Sequence, residues 1–491
     1  VPDRKTLDTQ HPFYDFMKPR WARYRAFGEG IDTDAQKRPW LPIADGESET
    51  SYARRLALSH DLGSSPAAIT RVKGALLRGA VAREYADTHR EAFTQFDAQA
   101  GGVGVSIEKV LEAGQEEAAM MGLCLYFVGR AATPGAANAA AEATPFVEQW
   151  TAEEAVDWGV DAQSGALDWI ILKRTVSERA GPNAARAEVT RWIVADRSTT
   201  TRYRAESEAV EPLLEGAPDV HNLGVVPVVA HYGRRFGTMQ GASYVDALSR
   251  ADLRRLQLES NRAQSAYLHA NPKLAISSRR TWDQIFGNPS RVMILDPADG
   301  EKAEYITLDS AGMTLVGEMI AEGDRRGPQL AGMDSSTFAP ADSGGKGVRS
   351  GAALQWAFST SEGPTLESLY EGLCDADLGI HEVVARYFDP RLNVSPTERV
   401  FDGTIRREKQ WDFMELADLI EILSTNVVRS ETWRKEVEKQ IATRAPGNLD
   451  PETATVIAKE IDAAKPAEAD PAGGADGNPD AAADAGGQRA A

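Results

Sequence analysis

The chain has 491 residues, 42% of them hydrophobic and 26% charged, with a formal net charge of −19 and a pI near 5.0. It is long enough for two or more folded units, and its acidity argues against tight nucleic-acid binding, whose affinity comes mostly from Lys and Arg displacing counterions from phosphate. Cys124 and Cys374 stand far apart in apolar stretches, which excludes a disulfide scaffold or a cysteine metal knuckle and fits a reducing compartment; the charged, proline-bearing start and the lack of a long apolar run predict neither a secretory signal nor a membrane span.

From about Thr50 to Phe127 the pattern is largely helical, with Tyr52, Leu56 and Leu58, then Ile69, Val72, Leu76 and Leu77, recurring at spacings of three and four. A helix from Ser106 to Met121 carries Ile107, Val110, Leu111 and Ala118 on one stripe, and Gly114 in that stripe either weakens the helix or marks close packing. Strand-like sequence begins at Leu123–Val128 and returns at Asp168–Ser177, Glu188–Asp196 and Val225–Tyr232, rich in β-branched and aromatic residues between Gly, Asn and Pro clusters. An antiparallel β unit over roughly 145 to 235 follows.

After Gly241, Ser243 and Asp246 read as a capping box, and helical sequence runs without Gly or Pro to Ala270, where Asn271-Pro272 stops it. Val245, Leu248, Leu256, Ala263 and Tyr267 are its main apolar positions; the rest is polar enough to require neighbours of both charge signs. Short strands are predicted at Lys273–Ile276, Val292–Leu295 and Ala303–Leu308, then a helix over Gly312–Arg326. Residues 334–350 are rich in Gly, Ser and Pro, the pattern of a mobile loop. A long helix over Ala352–Phe388 is expected to kink or break at Gly363-Pro364. A short strand near Arg399–Ile405 precedes helices at Trp411–Leu423, Ser430–Ala442 and Pro451–Ala463, and the acidic, Ala/Gly/Pro-rich stretch 464–491 reads as disordered.

No catalytic motif is found. His381-Glu382 begins like a zinc-protease helix, but Ala385 stands where the second histidine belongs, leaving a histidine expected on a helix surface. Gly344-Gly345-Lys346-Gly347 lacks the Ser or Thr that would hold Mg²⁺ in a phosphate loop, and Gly101-Gly102-Val103-Gly104 reads as a helix-entry loop. Trp40, Trp150, Trp158, Trp169 and Trp192 are read as packing residues. Neither catalytic residues, nor a metal site, nor a cofactor is expected, and the chain is not expected to be an enzyme.

The order of elements carries a resemblance. GASYVDALSRADLRRLQLESNRAQSAYLHANPKLAIS (241–277) resembles the stem helix and clip entry of tailed-bacteriophage portal proteins, SGAALQWAFSTSEGPTLESLYEGL (350–373) the tunnel loop and kinked helix, and RVFDGTIRREKQWDFMELADLIEILSTNVVRSETWRKEVE (399–438) the late part of the family. The resemblance implies an α+β fold: an α/β wing over 1–240, a first stem helix over 241–271, a small α/β clip over 272–308 and a second stem helix over 309–333. A tunnel loop over 334–350, a kinked long helix over 351–388, a helical crown over 389–463 and the acidic tail over 464–491 complete it. It implies a ring, usually of twelve subunits, at one capsid vertex, assembled in a host bacterial cytoplasm and carried in the virion. Double-stranded DNA would pass through it weakly and non-specifically. The large terminase subunit, head-completion and tail proteins and the major capsid protein would be its partners, with no membrane involved. In such a ring Arg250, Arg254, Arg255 and Arg262 would face acids of a neighbouring stem such as Glu318 and Glu322, and Lys346 and Arg349 would be the cations nearest DNA. The alternatives are a DNA-packaging or nucleotide-acting enzyme, which the missing motifs disfavour, and another minor capsid structural protein or scaffold.

Overall fold

The computed structural model describes residues 2–60, 63–130, 144–179, 185–207, 209–270, 273–277, 302–306, 314–322, 363–388, 398–407 and 409. The chain divides into a compact unit, Val1–Asp412, and a second, Phe413–Ala491. The three helices expected after Trp411, the tail, the strand at Val292–Leu295 and the loop 334–350 lie outside the described residues.

The first unit opens with helices α1 (Arg4–Leu7), α2 (Pro12–Glu29), α3 (Asp34–Lys37), α4 (Glu49–Leu58) and α5 (Ser64–Leu76). Their starts are chemically marked: His11 Nδ1 accepts from Phe13 N at the head of α2, and Thr33 with Gln36 closes a capping box on α3. The stretch 50–127 is not wholly helical. Strand β1 (Val81–Tyr85) interrupts it before α6 (Arg90–Gln99) and α7 (Ile107–Met121), and its antiparallel partner is the distant β15 (Gly403–Arg407). Residues Val81–Tyr85 carry two charges and alternate half-buried with exposed, so the strand has no apolar face to announce it.

Two sheets form the β region, which begins at Leu123, where strand-like sequence starts. β2 (Leu123–Arg130) runs between β3 (Pro145–Thr151) and β10 (Val228–Tyr232), while β4 (Ala155–Val160), β5 (Leu167–Arg179), β6 (Arg186–Asp196), β7 (Thr199–Ala205) and β8 (Leu213–Leu214) make a second sheet in that order, with β9 (Asp219–Val220) also on β7. All pairings are antiparallel. β2 is buried on both faces: Leu123, Leu125 and Phe127 join the core under α2 and the larger sheet, and Cys124, Tyr126 and Val128 join the core that includes residues of α6 and α7. That explains the unbroken apolar run in this strand. Trp150, Trp158 and Trp192 are buried and Trp169 packs against them, so these rings serve the core.

Gly114 marks close packing. A β-carbon there would lie 2.9 Å from Tyr126 Cε1 and closer still to the phenol oxygen, and Tyr126 is fully buried. Gly114→Val is expected to cost about 1–3 kcal/mol through overpacking, measured as a lowered urea midpoint; an unchanged midpoint would contradict this contact.

A short hairpin, β11 (Arg235–Gly237) with β12 (Gln240–Gly241), leads to α8 (Asp246–Ala270). β13 (Lys273–Ser277) follows and pairs antiparallel with β14 (Lys302–Ile306), then residues 314–322 are helical (α9). Helix α10 spans Gly363–Phe388, with Gly363-Pro364 at its start among the described residues, and packs on β10. A proline suits the first turn, where its missing N–H has no intrahelical partner. The fold is mixed α+β with several antiparallel sheets, as expected from the sequence.

Candidate functional site

The long helix α8 carries four of the eight site residues singled out from the sequence. Its root is clamped: Asp246 accepts from Arg23 Nη2 at 2.8 Å and from the Tyr24 hydroxyl at 2.7 Å, and also pairs with Arg250 one turn on. The expected capping box does not form, because the Asp246 carboxylate is turned to these groups. Ser243 Oγ instead donates to Met120 O and accepts from Val245 N. Farther along, Asp252 accepts from Ser65 N at 3.0 Å and from its hydroxyl, capping α5 from outside, and Ser260 Oγ accepts from Arg55 at 3.1 Å. Much of the helix's polar surface is therefore answered inside the chain by α2, α4 and α5.

Of the four arginines singled out, Arg250 pairs with Asp246 and Arg262 lies 3.8 Å from Glu259, both within α8. Arg254 is exposed and Arg255 half-buried. On α9, Glu318 is exposed and Glu322 half-buried. Lys346 and Arg349 lie outside the described residues. Ala270 ends α8 and Lys273 begins β13, so the β13–β14 pair sits at the far end of a 25-residue helix, roughly 37 Å from its root at 1.5 Å per residue.

The groups that most resemble catalytic machinery lie elsewhere, around His381, whose partners the sequence reading does not name. His381 is not on a helix surface: its side chain and that of Asp377 are 0% exposed, because α10 turns this face onto α6 and β1. His381 Nε2 is 3.0 Å from Asp97 and Nδ1 is 3.2 Å from the Asp377 carboxylate and 2.8 Å from its main-chain oxygen. Asp377 also takes Arg83 at 2.7 Å and Arg407 at 3.1 Å, and both arginines reach Glu108. Three cations thus face three carboxylates, and the rings of Tyr85, Phe93, Phe96 and Phe401 surround the imidazole. The signal is the i, i+4 pair Asp377 and His381; Asp97 and Arg83 lie 284 and 294 residues from their partners, and Arg407 30 residues on.

Burial disfavours the His381 imidazolium, but hydrogen bonds and charge from Asp377 and Asp97 outweigh it and raise its pKa to about 9. Burial would likewise raise Asp377, yet His381, Arg83 and Arg407 hold its carboxyl well below the ordinary range. The array ties α6, α7, α10, β1 and β15 together through ion pairs and hydrogen bonds around a buried imidazole. Because the folded pKa of His381 lies above its unfolded value near 6.5, its stabilisation is complete below about pH 6.5 and is lost as pH rises through about 9. The urea midpoint is expected to fall between pH 7 and 9.5, and His381→Gln to remove most of that fall; an identical pH profile in the variant would contradict it.

His231 shows the opposite treatment. Burial pushes it down to about 3, so it sits neutral between the Tyr126 hydroxyl at 3.1 Å and Gln115 at 3.1 Å. No group of three or more His, Cys, Asp or Glu able to hold a metal occurs among the described residues. Cys124 is buried and Cys374 half-buried, both free.

No family model matches this chain. No curated protein matches it either. Among solved structures it is similar to a chain of the "virion of native gene transfer agent (GTA) particle", at 11% identity and a TM-score of 0.34, covering 85% of this chain and 98% of that one.

An open cavity of about 630 Å³ lies at the root of α8. It is lined by Phe13, Phe16 and Arg20 of α2, by Arg234 and Phe236 beside the β11–β12 hairpin, and by residues at the start of α10. No helix among the described residues is long and apolar enough to cross a membrane.

Proposed function

We propose that this chain is the subunit of a portal ring, a conduit for double-stranded DNA at one vertex of a tailed-phage or phage-like capsid. The observation that carries the proposal is the path of the chain around α8. A body of two sheets and packed helices sends out one long helix, that helix ends in a two-stranded antiparallel sheet, and a helical segment follows before α10 packs back on the body. This order of elements supports reading α8 as a stem and the β13–β14 pair as part of a clip, as the sequence resemblance implies. The body would be the wing, the β13–β14 pair part of the clip, and the Arg254 side of α8 the surface offered to a neighbouring stem.

The acidity suits this role, because a channel that lets DNA slide must not hold phosphate firmly. The terminase, head-completion and tail proteins would dock on the clip end and the capsid protein around the wing. In this reading the subunit is a conduit and not an enzyme, and the His381 array, whose histidine and Asp377 are buried, serves the fold. Light scattering on the purified chain is expected to give a closed species of about twelve times the 53.1 kDa subunit mass, without ATP hydrolysis. Intrinsic ATPase activity would favour a packaging enzyme instead.

A further inference from the structure

The cavity at the root of α8 has two walls, each an exposed phenylalanine under an arginine. Arg20 stacks 4.1 Å from the Phe16 ring and Arg234 lies 4.9 Å from the Phe236 ring, and these rings are 55% and 65% exposed. Among the described residues neither arginine pairs with a carboxylate, although the chain as a whole is strongly acidic. Exposed aromatic rings capped by unpaired arginines around an open cavity have the composition of a binding hot spot.

A surface of the opposite character lies at the far edge of the larger sheet. The groove sits beside β4, because His11 N donates to Val156 O, the Tyr14 hydroxyl reaches Glu153 O, and Thr238 of the β11–β12 turn bonds Gly165 in the β4–β5 turn. Across that sheet, roughly 19 Å away at 4.8 Å per strand, β8 and β9 form an edge with four exposed apolar residues: Val210, Leu213, Leu214 and Val220. Leu213 and Val220 are 67% and 60% exposed. Glu206, Glu211 and Glu215 flank them; Glu206 and Glu215 make long ion pairs, at 4.0 Å and 3.7 Å, and Glu211 accepts from the Arg4 main-chain N at 3.3 Å.

We infer that the groove of one subunit receives the 210–220 edge of the next, with Phe16 and Phe236 against the apolar residues and Arg20 and Arg234 against the glutamates. The contact commits to a second copy of this chain. The two surfaces are different, opposite in charge, and placed at opposite edges of one sheet, as a head-to-tail contact that closes into a ring requires. The inference rests on the ring proposed above and identifies the surfaces that build it.

Placing the photo-crosslinker p-benzoylphenylalanine at Phe236, in mixtures of ¹⁵N-labelled and unlabelled subunits, is expected to yield adducts between chains within residues 210–220. Arg20→Glu with Arg234→Glu should raise the concentration of half-assembly at least about tenfold without changing the monomer's melting temperature, and adding Glu211→Arg with Glu215→Arg should restore it. Oligomers whose adducts fall elsewhere, on the same chain or on added duplex DNA, would overturn this interface and leave the ring standing. A chain that stays monomeric at high concentration would overturn both.

Discussion

Replacing Asp377 by alanine is expected to destabilise the first unit by about 3–5 kcal/mol. Asp377 touches all three cations of the buried array: His381 at 3.2 Å, Arg83 at 2.7 Å and Arg407 at 3.1 Å. Two of these, His381 and Arg407, have almost no exposed side-chain surface, so removing the carboxylate leaves charge in an apolar surround rather than merely deleting a contact. Asp377→Asn keeps the volume and some hydrogen bonding and should cost less. Denaturation monitored by circular dichroism reads the difference; a loss below about 1 kcal/mol for the alanine variant would mean the array contributes little.

Arg386→Ala acts at the other end of α10 and is expected to cost about 3 kcal/mol or more. The Arg386 guanidinium is 2% exposed and bonds Glu382 at 3.1 Å, Leu223 O at 3.1 Å and Glu398 O at 2.6 Å. Glu382 in turn accepts from Val400 N and Phe401 N, both at 2.8 Å. These bonds pin residues 398–401 to the helix and so set up the pairing of β15 with β1. The amides of residues 403–407 should therefore exchange with solvent faster in the variant, while those of β5 and β6 keep their protection. Equal protection of β15 in both proteins would contradict that pinning role.

The sequence exposes elements whose burial is periodic. α7, β5, β6 and β10 each bury a recognisable face, and β2 is apolar throughout because it is covered on both sides. β1 escaped notice because a half-exposed strand bearing Arg83 and Glu84 has no such face, and its partner β15 lies more than three hundred residues on. His381 was misread for the same reason. One aspartate four residues away is visible in the sequence, whereas Asp97, 284 residues away, meets the imidazole only through the fold. On α8 the polar positions suggested neighbours from another subunit, and several are satisfied by Arg23, Arg55 and Ser65 of the same chain. The proposed ring therefore rests on the path of the chain and on exposed surfaces rather than on the polarity of that helix.

Negative-stain electron microscopy of the purified chain tests the central claim most directly. The account predicts rings of about twelvefold symmetry with an open central channel. A field of monodisperse monomers or dimers at high protein concentration would contradict it.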